Sequence, residues 1–191
     1  MYVLFEGIDT CGKTTQIERI AREHPDAVIT REPGGTAFGE KAREILLTGT
    51  IRSKRAELLL FLADRAEHYE EIVRPNRSRL LLSDRGFLSG IGYALANGGA
   101  SLEELIALNR FAIHGDWPDR ILFFETDEAT LRERLGAKST DGIEARGIDY
   151  LLTVQTKMKE ALPKLAIPYL TIDAREDVDV IHQKIVTYLG I

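Results

Sequence analysis

The sequence predicts an α/β fold: a five-stranded parallel sheet with helices on both faces. Three observations carry this. Five short apolar runs recur, at 2–5, 27–30, 80–83, 121–124 and 169–172, and near-continuous apolar runs suit strands buried on both faces. Segments with apolar residues at helical spacing separate them, and that alternation favours a parallel sheet. No repeat, low-complexity tract or Ser/Pro-rich linker divides the 191 residues, so one domain over 1–191 is expected.

Each element follows from local pattern. After the first run, 13–23 is polar except for Ile17, Ile20 and Ala21, which share one helical face. The second run leads through Pro33-Gly34-Gly35, a turn signal, to a helix over 40–47. Leu58, Leu59, Leu62, Ala66, Tyr69 and Val73 make a helical stripe over 56–73. Helices are also expected over 102–113, 128–135, 146–162 and 178–189. Apolar residues on more than one side of 56–73 point to deep burial or a subunit contact.

Composition removes several functions. Lys and Arg total 25 against 30 Asp and Glu, a net charge of −5, which disfavours nucleic acid as a partner. The longest apolar run, 58–63, is far short of the roughly 20 residues a membrane span needs. The start of the chain lacks a basic region and a small-residue cleavage site, so a cytoplasmic location is expected. The single cysteine, Cys11, excludes an intrachain disulfide and fits a reducing compartment. His24, His68, His114 and His182 are scattered without metal-ligand spacing and read as structural or surface residues. If the substrates are anions, positive charge must be concentrated locally.

The chemistry begins after the first run. Gly7-Ile8-Asp9-Thr10-Cys11-Gly12-Lys13-Thr14 has the spacing G-x-x-x-x-G-K-[ST] between an apolar strand and a helix, the context that marks a phosphate-binding P-loop. Glycines let backbone N–H groups wrap a phosphate, and the helix start adds positive potential. Lys13 reaches the β- and γ-phosphates, and the Thr14 hydroxyl can ligate Mg²⁺. Cys11 reads as a small residue that fits the loop. After the third run, Asp84 suits a carboxylate that holds Mg²⁺ directly or through water, and Arg85 beside it suits a second phosphate. No N-K-x-D segment follows a strand, which counts against a GTPase. The fold class sharpens to a three-layer P-loop fold.

Four segments together resemble the thymidylate kinase family: FEGIDTCGKTTQ over 5–16, REPGGT over 31–36, LFLADR over 60–65, and Asp84-Arg85 with Ser89 and Tyr93. Late in the chain, DGIE over 141–144 is similar to the family's lid end, and 172–174 to its final strand and loop. The resemblance implies transfer of the γ-phosphoryl of ATP to dTMP, Mg²⁺ with ATP, a homodimer, and a short mobile lid over 136–146. It implies ATP contacts from Gly7 to Thr15, including Ile8, Thr10, Cys11, Gly12 and Thr14, with adenine near 173–175 and hence Arg175. For dTMP it implies Asp9 on the acceptor side, orienting an arginine or a sugar hydroxyl. Phe61 would stack on the base, and Arg65 would read a base carbonyl from the same helical face. Arg43 and Arg85 would hold the phosphate, Ser89 and Tyr93 the nucleoside. Glu32 and Pro33 would shape the substrate loop rather than act chemically. Lys13, Mg²⁺ and Arg85 would then screen the two phosphates.

The pattern departs from the family at two places. A further arginine is expected in the P-loop or the lid, but Thr10 and Cys11 carry no charge and Gly142 takes the lid position. Arg134 or Lys138 would replace it, while Arg132 faces another side of the same helix. Ala94 and Gly90 replace polar residues that often contact the base, leaving recognition to Phe61, Arg65 and water. One methyl separates dTMP from dUMP and is worth only about 1–3 kcal/mol. The rival readings are a P-loop kinase for another pyrimidine nucleotide or nucleoside, and a P-loop ATPase switch. A switch has no need of a second phosphate site.

Overall fold

A computed structural model describes residues 1–98, 100–136 and 147–191. The five expected strands are present: β1 Tyr2–Glu6, β2 Val28–Arg31, β3 Leu81–Asp84, β4 Arg120–Glu125 and β5 Tyr169–Asp173. They form one parallel sheet in the order β2-β3-β1-β4-β5. β1 is central and buried along its whole length, which explains its unbroken apolar run. Its register sets Phe5 opposite Asp84 on one side and Leu122 on the other. All five carboxyl ends therefore lie along one edge, where ligands bind in such sheets.

Eight helices are described: α1 Lys13–Glu23, α2 Ala37–Leu47, α3 Lys54–His68, α4 Phe87–Asn97, α5 Leu102–Ala112, α6 Glu128–Leu135, α7 Ile148–Ala161 and α8 Val178–Leu189. Three expectations shift at their ends. α2 begins three residues early because Thr36 caps it, its hydroxyl accepting from the Gly39 N–H at 2.9 Å. The helix expected over 56–73 ends at His68 and continues as a single π turn, Tyr69–Val73. α7 begins at Ile148 after Gly147, whose φ of 97° lies outside the range of most side chains.

α4 was not anticipated. Every residue from Phe87 to Tyr93 is buried, so no polar face produces a periodic signal. Gly90 and Gly92 also weaken helix propensity. A side chain at Gly92 would overlap Met158 of α7, so glycine is what lets these helices meet. The four-residue spacing of Arg85, Ser89 and Tyr93 was the one available clue.

The core forms where the sheet meets its helices. Phe5, Phe123 and Phe124 are fully buried with Leu4, Ile8 and Ile20, and the Phe5 and Phe124 rings stack at 6.1 Å. No described helix is long and apolar enough to cross a membrane. The lid expected over 136–146 lies outside the described residues except for Gly136, and Lys138 and Gly142 fall there too.

Candidate active site

The loop between β1 and α1 is built on glycine. Gly7 has φ 144°, and a Cβ there would come within 2.5 Å of the Phe124 carbonyl of β4. Gly12 sits at φ 85° immediately before α1. Both positions exclude ordinary side chains. Lys13 is buried and its ammonium donates to the Gly7 carbonyl at 3.2 Å and the Ile8 carbonyl at 2.8 Å. Burial and the nearby Arg85 lower its pKa. Cys11 is buried as well, and burial pushes its thiol pKa up. It therefore behaves as a small apolar filler, not a reactive handle.

β3 lies beside β1, so the residues that end it face the loop. The Thr14 hydroxyl donates to Asp84 Oδ2 at 2.8 Å. The two oxygens are hard donors at the loop mouth and fit a Mg²⁺ whose other ligands are phosphate and water. Among the described residues, no three His, Cys, Asp or Glu side chains converge on a metal position.

Arg85 follows with φ 72°, an unusual conformation for a non-glycine residue. Its N–H donates to the Phe5 carbonyl at 2.9 Å, and Ser83 Oγ donates to its carbonyl at 2.7 Å. Its guanidinium reaches back over the loop. Nη2 pairs with Asp9 Oδ1 at 2.6 Å, and Nη1 donates to the Gly7 carbonyl and to Ser89 Oγ, the latter at 3.3 Å. Ser89 is in turn held by Glu6. That carboxylate accepts from the Leu88 and Ser89 N–H groups, each at 3.1 Å, and from the Ser89 hydroxyl. Burial raises the Glu6 pKa despite these bonds. Glu6 was missed in the sequence because it reads as the last residue of an apolar strand.

A second charge system lies behind the loop after β2. Arg65, on α3, is 3% exposed. Nε donates to Glu32 Oε2 at 2.8 Å and Nη1 to Asn109 Oδ1 at 2.6 Å. His68 Nδ1 lies 2.9 Å from Glu32 Oε1, and His68 Nε2 lies 2.6 Å from Thr30 Oγ1. Burial pushes the Glu32 pKa up, but Arg65 and His68 outweigh it and leave it below the ordinary carboxylate value. Glu32 thus adds a charge to the shape expected of it. A guanidinium this buried needs a counter-ion, and Glu32 is that ion. Asp64 supports the same loop: Oδ1 accepts from the Gly34 N–H at 3.2 Å. Arg43 Nη1 donates to the Pro33 carbonyl at 3.2 Å.

These groups enclose two joined cavities. One is lined by Asp9, Glu32, Pro33, Arg43, Phe61, Arg65, Arg85, Ser89 and Tyr93, every residue the resemblance assigned to the acceptor. Leu46, Leu47, Gly86 and Gly90 complete it. The other, a wider and more open cleft, is lined by Asp9 through Thr15, with Asp84 and Arg134. Asp9, Glu32, Arg43 and Arg85 line both. Gly7 and Ile8 sit beneath the loop as acceptors for Lys13.

The remaining cations separate. Arg134 Nη1 donates to the Thr10 carbonyl at 3.1 Å, and Nη2 to the Ala174 carbonyl at 2.9 Å. It therefore joins the P-loop to the loop after β5. Arg132 is exposed and pairs with Glu128, as the two-residue offset required. Arg175 stands apart, in a groove with Glu125 and Lys184. It pairs with Asp127 at 2.9 Å and Asp173 at 2.6 Å. Hydrogen bonds from Arg175 lower the Asp173 pKa to about 2.

A family model described as thymidylate kinase matches residues 5–185. The chain is 62% identical to the thymidylate kinase of Sulfurovum sp. (strain NBC37-1) over 191 residues, covering 100% of both. It is 54% identical to that of Campylobacter curvus (strain 525.92) over 192 residues, covering 99% of each. The crystal structure of thymidylate kinase from Ehrlichia chaffeensis superposes with a TM-score of 0.78 at 26% identity, covering 100% of this chain and 98% of that one.

Proposed function

Because the chain belongs to the thymidylate kinase family, we infer that its two joined cavities hold ATP and dTMP with their phosphates meeting at the shared wall. The chain is an ATP-dependent dTMP kinase, a phosphotransferase of nucleotide biosynthesis that yields dTDP and ADP. The observation that best supports the siting is that wall. Asp9, Arg43 and Arg85 border the P-loop cleft on one side and the acceptor pocket on the other.

In this reading the chain's own residues position and neutralise. Loop N–H groups and Lys13 bind the ATP phosphates, and Lys13 exchanges the Gly7 and Ile8 carbonyls for phosphate oxygens. Arg85 and Arg43 hold the dTMP phosphate, with Asp9 setting the Arg85 plane. Arg134 adds charge beside Thr10 and takes the role of the missing family arginine. Thr14 and Asp84 would hold Mg²⁺, which supplies charge neutralisation at the β- and γ-phosphates when bound. Phe61 stacks on thymine, and Arg65 offers its donors to a base carbonyl. Ser89 and Tyr93 contact the sugar side, and Glu32 and Pro33 frame the pocket, whereas Arg175, paired with Asp127 and Asp173 in a separate groove, lines neither cavity and leaves its expected adenine contact without support. The acceptor is already a phosphate oxygen, so no general base is needed and in-line positioning supplies most of the rate.

The same reading makes 1–191 one cytoplasmic kinase domain that works as a homodimer. Leu59 on α3 is 60% exposed, and Phe111 on α5, which packs against α3, is 85% exposed; exposed apolar side chains of this kind support contact with a second copy. The deciding experiment is ADP release with ATP, Mg²⁺ and a panel of nucleoside monophosphates. The expected result is turnover that depends on dTMP; equal turnover with and without dTMP would sink the reading.

A further inference from the structure

Arg65 has two of its three nitrogens committed. Nε is held by Glu32 and Nη1 by Asn109, while Nη2 hydrogen-bonds to none of the described residues. Two fixed points on a planar guanidinium leave it no free rotation, so the Nη2 edge keeps one direction. Gly90 leaves the room for it on the opposite side. A Cβ at Gly90 would lie 3.3 Å from Nη2 and 3.4 Å from Nη1, so a side chain there would oblige the guanidinium to give by a few tenths of an ångström.

The second fixed point is itself fixed. Asn109 is 1% exposed, and its Nδ2 donates to the Leu105 carbonyl one turn back on α5 at 2.7 Å. That bond decides which end of the amide faces Arg65: the carbonyl does. Asn109 is also a neutral acceptor. Glu32 already balances the Arg65 charge, and a second carboxylate there would leave the buried cluster with excess negative charge. Asn109 does not line the acceptor cavity, so its removal takes away no contact with a bound nucleotide.

We propose that Asn109 is a positioning residue for the pyrimidine, holding the Arg65 guanidinium in the plane that presents Nη2 to the pocket. The proposal rests on reading that pocket as the dTMP site. Without Asn109 the guanidinium pivots about its single bond to Glu32. It must then be ordered by each incoming base, and it demands a carbonyl acceptor less strictly.

The test uses the full chain carrying Asn109→Leu, and separately Asn109→Ser, whose hydroxyl is too short to reach Nη1. Thermal melts establish folding. Steady-state kinetics then give KM for dTMP and ATP, kcat, and the preference for dTMP over dCMP. The expected result is a dTMP KM raised about 10-fold in both variants, with kcat and ATP KM within about twofold. The dTMP:dCMP preference should fall about fivefold. A folded variant whose dTMP KM stays within twofold overturns the proposal, as does a parallel change in kcat and ATP KM. Loss of a cooperative melt in both variants assigns Asn109 to the core alone and overturns it too. Failure of the underlying reading looks different: the wild-type chain would then show no dTMP-dependent turnover.

Discussion

Asp9 Oδ1 lies 2.6 Å from Arg85 Nη2, an ion pair that ties the phosphate loop to the end of β3. A carboxylate in a loop built for anions looks misplaced until its partner is seen. Asp9 faces the guanidinium, not a phosphate, and leaves the fork of Arg85 aligned along the wall between the two cavities.

Asp9→Asn keeps the shape and removes the charge. The expected outcome is a fall in kcat/KM for dTMP of about 100-fold, by analogy with losing one oriented electrostatic contact. ATP KM should stay within about threefold. Steady-state kinetics with each substrate varied in turn checks this. An unchanged dTMP term would detach Arg85 from the acceptor.

Lys13→Ala should lower kcat by about 1,000-fold or more, since it removes the buried ammonium that two loop carbonyls hold at the phosphate site. Stability should move little. The Lys13 charge is disfavoured by burial and by Arg85, and the two carbonyl bonds it loses offset that relief. Calorimetry of the nucleotide-free protein should give a Tm within about 3 °C of wild type.

Asp64 gives a pH signature. Burial first, then the nearby Glu32 charge, raise its pKa to about 6 from the ordinary 3.8. A carboxyl whose folded pKa is raised binds more protons folded than unfolded. Stability fully present below about pH 4 is therefore lost as pH rises to about 6. Asp64→Asn retains the Oδ1 acceptor for Gly34 and cannot ionise. It should exceed wild type by about 2 kcal/mol at pH 8, with the gap closing toward pH 4. Urea melts of both proteins across that range provide the check; a constant gap would refute the assignment.

Phe111→Asp, alone or with Leu59→Glu, should convert a dimer to a monomer by placing charge on the exposed α3/α5 face. Light scattering at micromolar concentration reads the mass directly. A wild-type monomer would remove the proposed interface.

The residues readable from sequence share one property: their chemistry depends on local spacing. Gly7, Gly12, Lys13 and Thr14 announce the loop by their intervals, and Phe61 and Arg65 share a face because they are four apart. What escaped depends on partners far along the chain. Glu6 looks like the end of an apolar strand, yet it holds Ser89, 83 residues away. Asn109 looks like a polar residue on an amphipathic helix, yet it faces Arg65 across 44 positions. α4 escaped because burial on all sides erases periodicity. Arg65 reads as a solvated charge in isolation, and only Glu32, supplied by another strand end, explains its burial.

The central position of β1 has a consequence for how the molecule is made. Leu4 pairs with Ser83 on one side and Ile121 on the other, so this strand leaves the ribosome well before either neighbour that encloses it. Pairings so distant in sequence carry a high contact order and form slowly. At synthesis rates of about 5–20 residues per second, the apolar run at the N-terminus waits several seconds for its neighbours. The phosphate loop is thus translated well before the strands that hold it in place. In vivo, the earliest vulnerability of this enzyme is a nascent chain with its central, fully buried strand unpaired.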